Sequence, residues 1–409
     1  MLSFDIELQN RLTAIREAGL FRELRQVDSP QGTRMEIAGR TFLNFSSNDY
    51  LGLANHPALK EAAIKAVEKF GAGAGASRLI CGSLAPFHEL EEILADFKGT
   101  EAALSFSTGY AAAIGTITAL IGKDDIIIVD KLVHACVVDA ARLCRATLRI
   151  FGHNDLNELE DILKWAQKAQ SPESGVQNQR QPRVLIVTES VFSMDGDAAP
   201  LQEIVALKEK YGAWLMVDEA HATGLYGDNR RGLAEELGVS DRIEIQMGTL
   251  GKALGASGGY ICGSRVLIDF LINRARSFIF STAPVPAAAA AATAAIALVK
   301  SPEGQSRLEQ LNARVSELHS VLRTLHSAFH SAITPVILGE ESRAVAVAAA
   351  LREQNIFVPA IRYPTVARGS ARLRITLTAS HTAAEVRQLV ESLEPCFRTF
   401  PDCCAASRL

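Results

Sequence analysis

Trp214-Leu-Met-Val-Asp218-Glu-Ala-His221 is an apolar run that ends in an acid and, three residues on, an imidazole. A second such run, Glu244-Ile-Gln-Met-Gly-Thr249-Leu-Gly-Lys252, ends in a threonine, a glycine and a lysine. Short apolar stretches bounded by turn residues are the pattern of strands buried on both faces of a parallel sheet. In open sheets of that kind ligands bind outside the carboxyl ends of the strands, so Asp218, His221, Thr249 and Lys252 are predicted to share one site. A lysine held there beside a carboxylate and an imidazole is placed to bond to the carbonyl carbon of an aldehyde cofactor.

Outward from these two strands, the region from residue 100 to 264 alternates apolar β-type runs with helical patterns. Asp125–Asp130, Leu148–Phe151, Val184–Glu189 and Gly259–Gly263 read as further strands. The alternation predicts an α/β fold with a mostly parallel central sheet and helices on both faces. The polar stretch Ser171–Arg183 reads as a surface loop, and the alanine-rich run from Pro286 as a buried helix. After it come a helix over Gly304–Ser327, a strand at Ile333–Leu338, a helix at Arg343–Gln354, strands at Phe357–Ile361 and Ala371–Leu377, and a helix over Thr382–Cys396. These predict a smaller α+β domain, completed by Met1–Arg25 read as a charged amphipathic helix. The expected boundaries are 1–44 for an N-terminal segment packing with the small domain, 45–290 for the large domain and 291–409 for the small one. The tail Pro401–Leu409 carries no pattern, and no internal repeat is visible.

At 409 residues the chain exceeds one small core and suits a large domain with a smaller companion. A net charge of −4 and a pI near 6.2, with no basic block interleaved with aromatics, leave no electrostatic footprint for nucleic acid. Seven cysteines without a CxxC pair point to reduced thiols in a cytoplasmic protein rather than to a disulfide frame or a zinc site. The alanine-rich apolar run Ala283–Val299 is shorter than the roughly 20 residues a membrane span requires. The N-terminus lacks the apolar segment of a secretory signal. Neither a metal site nor a membrane partner is expected.

Lys252 stands in a glycine-rich turn, where lysines are usually solvated surface groups. Its place after a buried strand favours catalysis, because burial favours the uncharged amine that a nucleophile requires. Asp218-Glu-Ala-His221 also matches a magnesium-binding signature of nucleic-acid helicases, which requires an upstream G-x-x-x-x-G-K-[ST] loop. Neither Gly122-Lys123 nor Gly251-Lys252 belongs to such a loop. The bland alternative is that Asp218 caps the turn after its strand. Gly71-Ala-Gly73-Ala-Gly75-Ala76 matches the dinucleotide fingerprint but follows a helical pattern, Pro57–Phe70, where the fingerprint demands a strand, so a flexible loop is the better reading. Ser105-Phe-Ser107-Thr-Gly109-Tyr110-Ala111 runs into an alanine-rich helix, which makes the amides at its positive end candidates for a phosphate. His134, just past the strand Asp125–Asp130, reads either as a satisfied buried histidine or as a ring lying flat on a cofactor. The histidines at 56, 88, 153, 319, 326, 330 and 381 show no ligand spacing and default to structural or surface roles.

Several longer stretches carry a family likeness: Asn44-Phe-Ser-Ser-Asn-Asp-Tyr-Leu-Gly52, His153-Asn-Asp155, Glu189-Ser-Val-Phe-Ser193-Met-Asp-Gly-Asp, Asp218-Glu-Ala-His221, Thr249-Leu-Gly-Lys252 and Phe280-Ser-Thr-Ala. In this order they resemble the α-oxoamine synthases, fold-type I pyridoxal-phosphate enzymes of the aspartate-aminotransferase fold. That family condenses an amino acid with an acyl thioester and releases CO2. Ala360-Ile-Arg-Tyr-Pro-Thr365-Val and Ala371-Arg-Leu-Arg374-Ile-Thr-Leu-Thr are most similar to the members that join L-alanine to a pimeloyl thioester, carried on coenzyme A or acyl carrier protein. The glycine C-acetyltransferases and 5-aminolevulinate synthases share the cofactor motifs. Ala76-Ser-Arg-Leu-Ile-Cys81-Gly departs from the more glycine-rich stretch of several relatives.

The resemblance implies pyridoxal 5'-phosphate bonded to Lys252, with Asp218 on the ring nitrogen, His221 and Ser193 on the phenolic oxygen and His134 stacked on the ring. It implies Gly109, Tyr110 and Thr249 on the phosphate, with Thr282 reaching the phosphate of the other subunit of a homodimer. It places Arg374 and Asn48 at the substrate carboxylate, and Arg22 and Thr365 near the acyl chain.

Overall fold

The computed structural model describes residues 3–170, 181–321, 329 and 331–399. Most of the loop expected over Ser171–Arg183, residues 322–327 of the helix expected to Ser327, and the tail Pro401–Leu409 lie outside them. In chain order the strands are β1 (Arg34–Ile37), β2 (Arg40–Asn44), β3 (Ala102–Phe106), β4 (Ile126–Asp130), β5 (Thr147–Phe151), β6 (Val184–Glu189), β7 (Trp214–Asp218), β8 (Ile245–Thr249), β9 (Gly259–Gly263), β10 (Ile333–Gly339), β11 (Ile356–Phe357), β12 (Ala360–Ile361) and β13 (Ala371–Thr376). The chain divides into two units, one of Leu51–Ser193 and Asp197–Glu309, the other of Met1–Tyr50, Met194–Gly196 and Gln310–Leu409.

The larger unit is built on a sheet of order β3-β9-β8-β7-β6-β4-β5. From β5 through β8 the pairs are parallel, and β9 runs antiparallel to both β8 and β3. Every residue of β4 and β6 is buried, as continuous Ile/Val/Leu runs with helices on both faces require. β3 went unforeseen because Ala-Ala-Leu-Ser-Phe lacks β-branched residues; its pairing with β9, not its propensity, makes it a strand. The helices Gly109–Leu120 and Ala135–Leu143 contribute Ala112, Ala113, Ile117, Val137 and Ala140 to the core against this sheet. The alanine-rich helix Pro286–Lys300 starts with proline in its first turn, packs on the helices Pro57–Phe70 and Ala85–Lys98, and brings small side chains to both contacts.

A buried ion pair ties the last residue of Ala85–Lys98 to the segment after β7. The side chains of Lys98 and Glu219 are each 1% exposed, and the Lys98 ammonium donates to Glu219 Oε2 and to the carbonyl of Arg231. Glu219 Oε1 accepts the amide of Ala234 at 2.9 Å. Gly232 sits at φ +141° with no room for a side chain, since a Cβ there would lie 2.3 Å from a Glu219 oxygen. Glu219 is therefore the structural member of the Asp-Glu-Ala-His run.

The smaller unit holds two three-stranded sheets, β1-β2-β11 and β10-β13-β12. The strand expected over Phe357–Ile361 is two: β11 runs parallel to β2, whereas β12 pairs antiparallel with β13. Pro359 stands between them, and a residue without an amide hydrogen cannot continue a ladder. The Asn44–Tyr50 segment is bound along β13 and its extension: Thr376 donates its amide to Phe45 O at 2.9 Å and Ala379 to Tyr50 O at 2.7 Å. His381 stacks on Phe45 with ring centroids 4.4 Å apart. The N-terminal helix covers only Ser3–Glu17, with no buried residue, so Arg22 lies beyond it rather than on it. Gly19, at φ +67°, closes the helix end.

Replacing Lys98 by methionine should cost about 3–5 kcal/mol, because it leaves the Glu219 carboxylate buried without its cation. Chemical denaturation of Lys98→Met and of the Lys98→Met/Glu219→Gln pair checks this, with the double variant losing less than the single one.

Candidate active site

The register of the parallel strands assembles the site. Glu189 at the end of β6 lies opposite Asp218 at the end of β7, and Asp218 lies opposite Met247 of β8. Two residues past Met247 the chain leaves β8 at Thr249 and enters a turn closed by hydrogen bonds from the Gly255 amide to Lys252 O and from the Ala256 amide to Leu250 O, both 2.8 Å. That turn brings Lys252 Nζ to 2.8 Å from His221 Nε2. Asp218 Oδ1 accepts the amide of Ala220 at 2.9 Å, so the aspartate caps its turn as well as standing at the site.

Burial dominates the electrostatics. Asp218 is 5% exposed and His221 6%. Desolvation raises the Asp218 pKa, and attraction to Lys252 opposes the rise. Glu189, which sequence reasoning left without a role, is 2% exposed. Its pKa is pushed up to about 8, first by burial and next by the charge of Asp218. Its Oε2 accepts the amide of Ser193 at 3.2 Å, while among the described residues its buried Oε1 has no partner. The signal was available: an acid closing a wholly apolar strand next to the one that ends in Asp218.

A cradle for an anion forms beside this cluster. The helix Gly109–Leu120 is capped by Thr108, whose hydroxyl and carbonyl accept the amides of Ala111 and Ala112, both at 3.0 Å. The amides of Gly109 and Tyr110 remain as the first-turn donors at the positive helix end. A Cβ placed on Gly109 would lie 3.7 Å from the Thr249 Cβ, so the helix start and the end of β8 converge. Gly259 makes that approach possible, since a Cβ there would come within 2.5 Å of the Gly109 backbone. The Tyr110 hydroxyl donates to Asp139 at 2.6 Å. Thr282 is exposed and forms a β-bridge with Ser77 in the same unit.

Ser193 is buried at the end of a loop whose base is held by His153. The His153 ring spans Asp130 at 3.1 Å and Asp197 at 2.7 Å, and Phe192 packs edge-on against it at 4.4 Å. Burial alone would lower its pKa, but the hydrogen bonds to the two carboxylates prevail and push it up to about 10. This histidine, left to a default role by its lack of ligand spacing, is a charged clamp between two acids distant in the chain.

In the smaller unit, Arg374 is 5% exposed on β13 and donates to Asn48 Oδ1 at 3.1 Å and to Thr376 Oγ1 at 2.9 Å. Arg22 and Thr365 are both exposed. The carbonyl of Phe21 accepts from Arg362, whose own carbonyl accepts the Thr365 amide at 3.0 Å, so the segments carrying Arg22 and Thr365 are tied together. Among the described residues there is no His/Cys/Asp/Glu cluster suited to a metal, and no helix is long and apolar enough to cross a membrane.

A lysine bonded to a histidine, a buried carboxylate lacking full compensation and a helix-end anion cradle can together hold a phosphorylated, cationic, aldehyde-bearing group. Comparison with known proteins agrees. The family model for aminotransferase class I and II matches residues 40–393. The chain is 46% identical over 391 residues to an 8-amino-7-oxononanoate synthase of Geobacter sulfurreducens, covering 94% of this chain and 96% of that one. It is 49% identical over 394 residues to an enzyme of the same name from an Anaeromyxobacter species, covering 96% of each. A serine palmitoyltransferase from S. paucimobilis, solved with a bound PLP–myriocin aldimine, superposes with a TM-score of 0.87 at 29% identity over 98% of both chains.

The His153 clamp has a pH signature. Its folded-state pKa of about 10 stands above the ordinary 6.5, so its contribution is complete below pH 6.5 and lost as pH rises through 10. The stability difference between the wild type and His153→Gln should be largest near pH ~6 and shrink toward pH ~10. Thermal or urea unfolding across that range checks it, and a flat difference would show that the ring carries no extra proton.

Proposed function

The chain belongs to the class I and II aminotransferase family, and we propose that it is an 8-amino-7-oxononanoate synthase, which joins L-alanine to a pimeloyl thioester with release of CO2 in biotin synthesis. The observation that carries the reading is Lys252 hydrogen-bonded to His221 beside the buried Asp218. Relatives of that name, alike over almost the whole chain, support the substrate class. The cofactor is pyridoxal 5'-phosphate, and the residues present fit it: Asp218 lacks a full counter-charge, Glu189 Oε1 is an orphaned buried acceptor, and the Gly109 and Tyr110 amides stand beside Thr249.

When bound, pyridoxal phosphate supplies an aldehyde carbon for an amine and a protonated ring that accepts the electron pair left behind by a departing α-proton or carboxylate. Lys252 would hold it through its amine and would be the base that takes the alanine α-proton onto Nζ. Asp218 holds the ring-nitrogen proton in place, and its burial strengthens that pairing. His221 and Ser193 would hold the phenolic oxygen, and His134 would pack against the ring. Gly109, Tyr110 and Thr249 bind the phosphate, and Thr282 serves the phosphate of the second subunit in a homodimer. Arg374, oriented by Asn48 and Thr376, takes the alanine carboxylate as a planar double donor. Arg22 and Thr365 bind the pimeloyl chain.

Asp218→Asn should retain bound cofactor yet lose α-proton exchange by orders of magnitude, since an amide cannot sustain the ring charge. Deuterium wash-in at alanine Cα is the measurement, and near-normal exchange would remove Asp218 from this role. A panel of thioesters and amino acids tests the substrates: pimeloyl with alanine should outpace acetyl with glycine, succinyl with glycine and palmitoyl with serine. A faster rate with any of those pairs would assign the chain to a sibling activity.

A further inference from the structure

His134 is the N-cap of the helix Ala135–Leu143, and it caps that helix through its own ring. Nδ1 accepts the backbone amide of Cys136 at 3.3 Å and lies 3.0 Å from Cys136 Sγ. Imidazole tautomers are normally inferred from whole hydrogen-bond networks, but here one partner leaves no choice. A backbone N–H only donates, so Nδ1 must keep its lone pair, and the ring proton of a neutral imidazole then belongs to Nε2. The thiol, facing the same lone pair, points its hydrogen at Nδ1.

We propose that Cys136 is a positioning residue: its amide and thiol together hold His134 as the neutral Nε2–H tautomer, so that the ring offers the bound cofactor and substrate one donor and no positive charge. The inference rests on the reading of this cluster as a pyridoxal-phosphate site.

Three features agree with that assignment. The Cys136 thiol is 1% exposed, and burial, then the charges of Asp218 and Glu189, push its pKa far above the ordinary thiol range, so it stays protonated and able to donate. A second proton on Nδ1 would confront two donors at the positive end of a helix. The His134 pKa is lowered, first by desolvation; Asp218 and Asp139 pull it up and Lys252 pushes it down. His134 is exposed as a residue, although its Nδ1 contacts are part-buried. A charged ring in this place would compete with the cofactor's own cation for Asp218; a neutral one does not.

The test is nitrogen-15 NMR of histidine-labelled full-length protein, with and without cofactor, with the His134 signals assigned from a His134→Gln spectrum. The expected result is a protonated Nε2 and an unprotonated Nδ1 from pH ~6.5 upward in both forms. Cys136→Ala should raise the apparent His134 pKa by about one unit or less, the equivalent of one hydrogen bond, and Cys136→Ser should restore it. A proton on Nδ1 at neutral pH, or a His134 titration unchanged in Cys136→Ala, overturns the proposal. Failure of the cofactor to bind would instead count against the functional reading, since the tautomer is read in its absence as well.

Discussion

Burying one carboxylate, Asp218, sets the terms for everything around it. It closes a strand flanked on both sides by parallel neighbours, so its charge is removed from water on every side that the sheet occupies. Such a group becomes neutral unless a cation or strong donors hold its charge. The attraction of Lys252 works in that direction, while Glu189, the acid facing Asp218 across the ladder, has its pKa pushed up to about 8 by burial and by the charge of Asp218. Two carboxyl groups in one apolar setting thus both have their pKa values raised, a pattern that marks functional sites more often than structural ones.

The next residue resolves the same problem in the opposite way. Glu219 is also deeply buried, but the Lys98 ammonium and the Ala234 amide meet it within the protein. Nothing is left for a ligand to satisfy. Adjacent acids in one tetrapeptide thus divide into a closed ion pair that anchors the loop and a group left incompletely compensated within the protein. The loop carrying His221 follows directly from both acids, and its imidazole meets Lys252 at 2.8 Å.

The strand ends were legible because burial on both faces writes itself as uninterrupted apolar residues, and the polar residue that ends such a run stands where the sheet opens. Asp218 and Thr249 stand at strand ends and Lys252 in the turn after β8, as that pattern predicts. Glu189 ends its strand by the same rule, yet without knowledge of the strand order nothing marks it as the neighbour of Asp218. Ala102–Phe106 hid because small residues carry no strand preference of their own. Phe357–Ile361 read as one strand because alternation does not reveal that the halves serve different sheets. Arg22 was assigned to a helix that ends at Glu17, since charge patterning continues past the point where the glycine at 19 closes the helix.

The sequence by itself determined the parallel α/β architecture, the ends of its central strands and the residue types gathered there, because those depend on periodicity and on local turn chemistry. Only the tertiary structure decided which acids face each other, that His153 is clamped by Asp130 and Asp197, that Lys98 neutralises Glu219, and which nitrogen of His134 carries its proton. The first three depend on contacts between segments far apart in the chain, whose strength is set by burial and distance. The last depends on the direction of one amide, which no spacing of residues encodes.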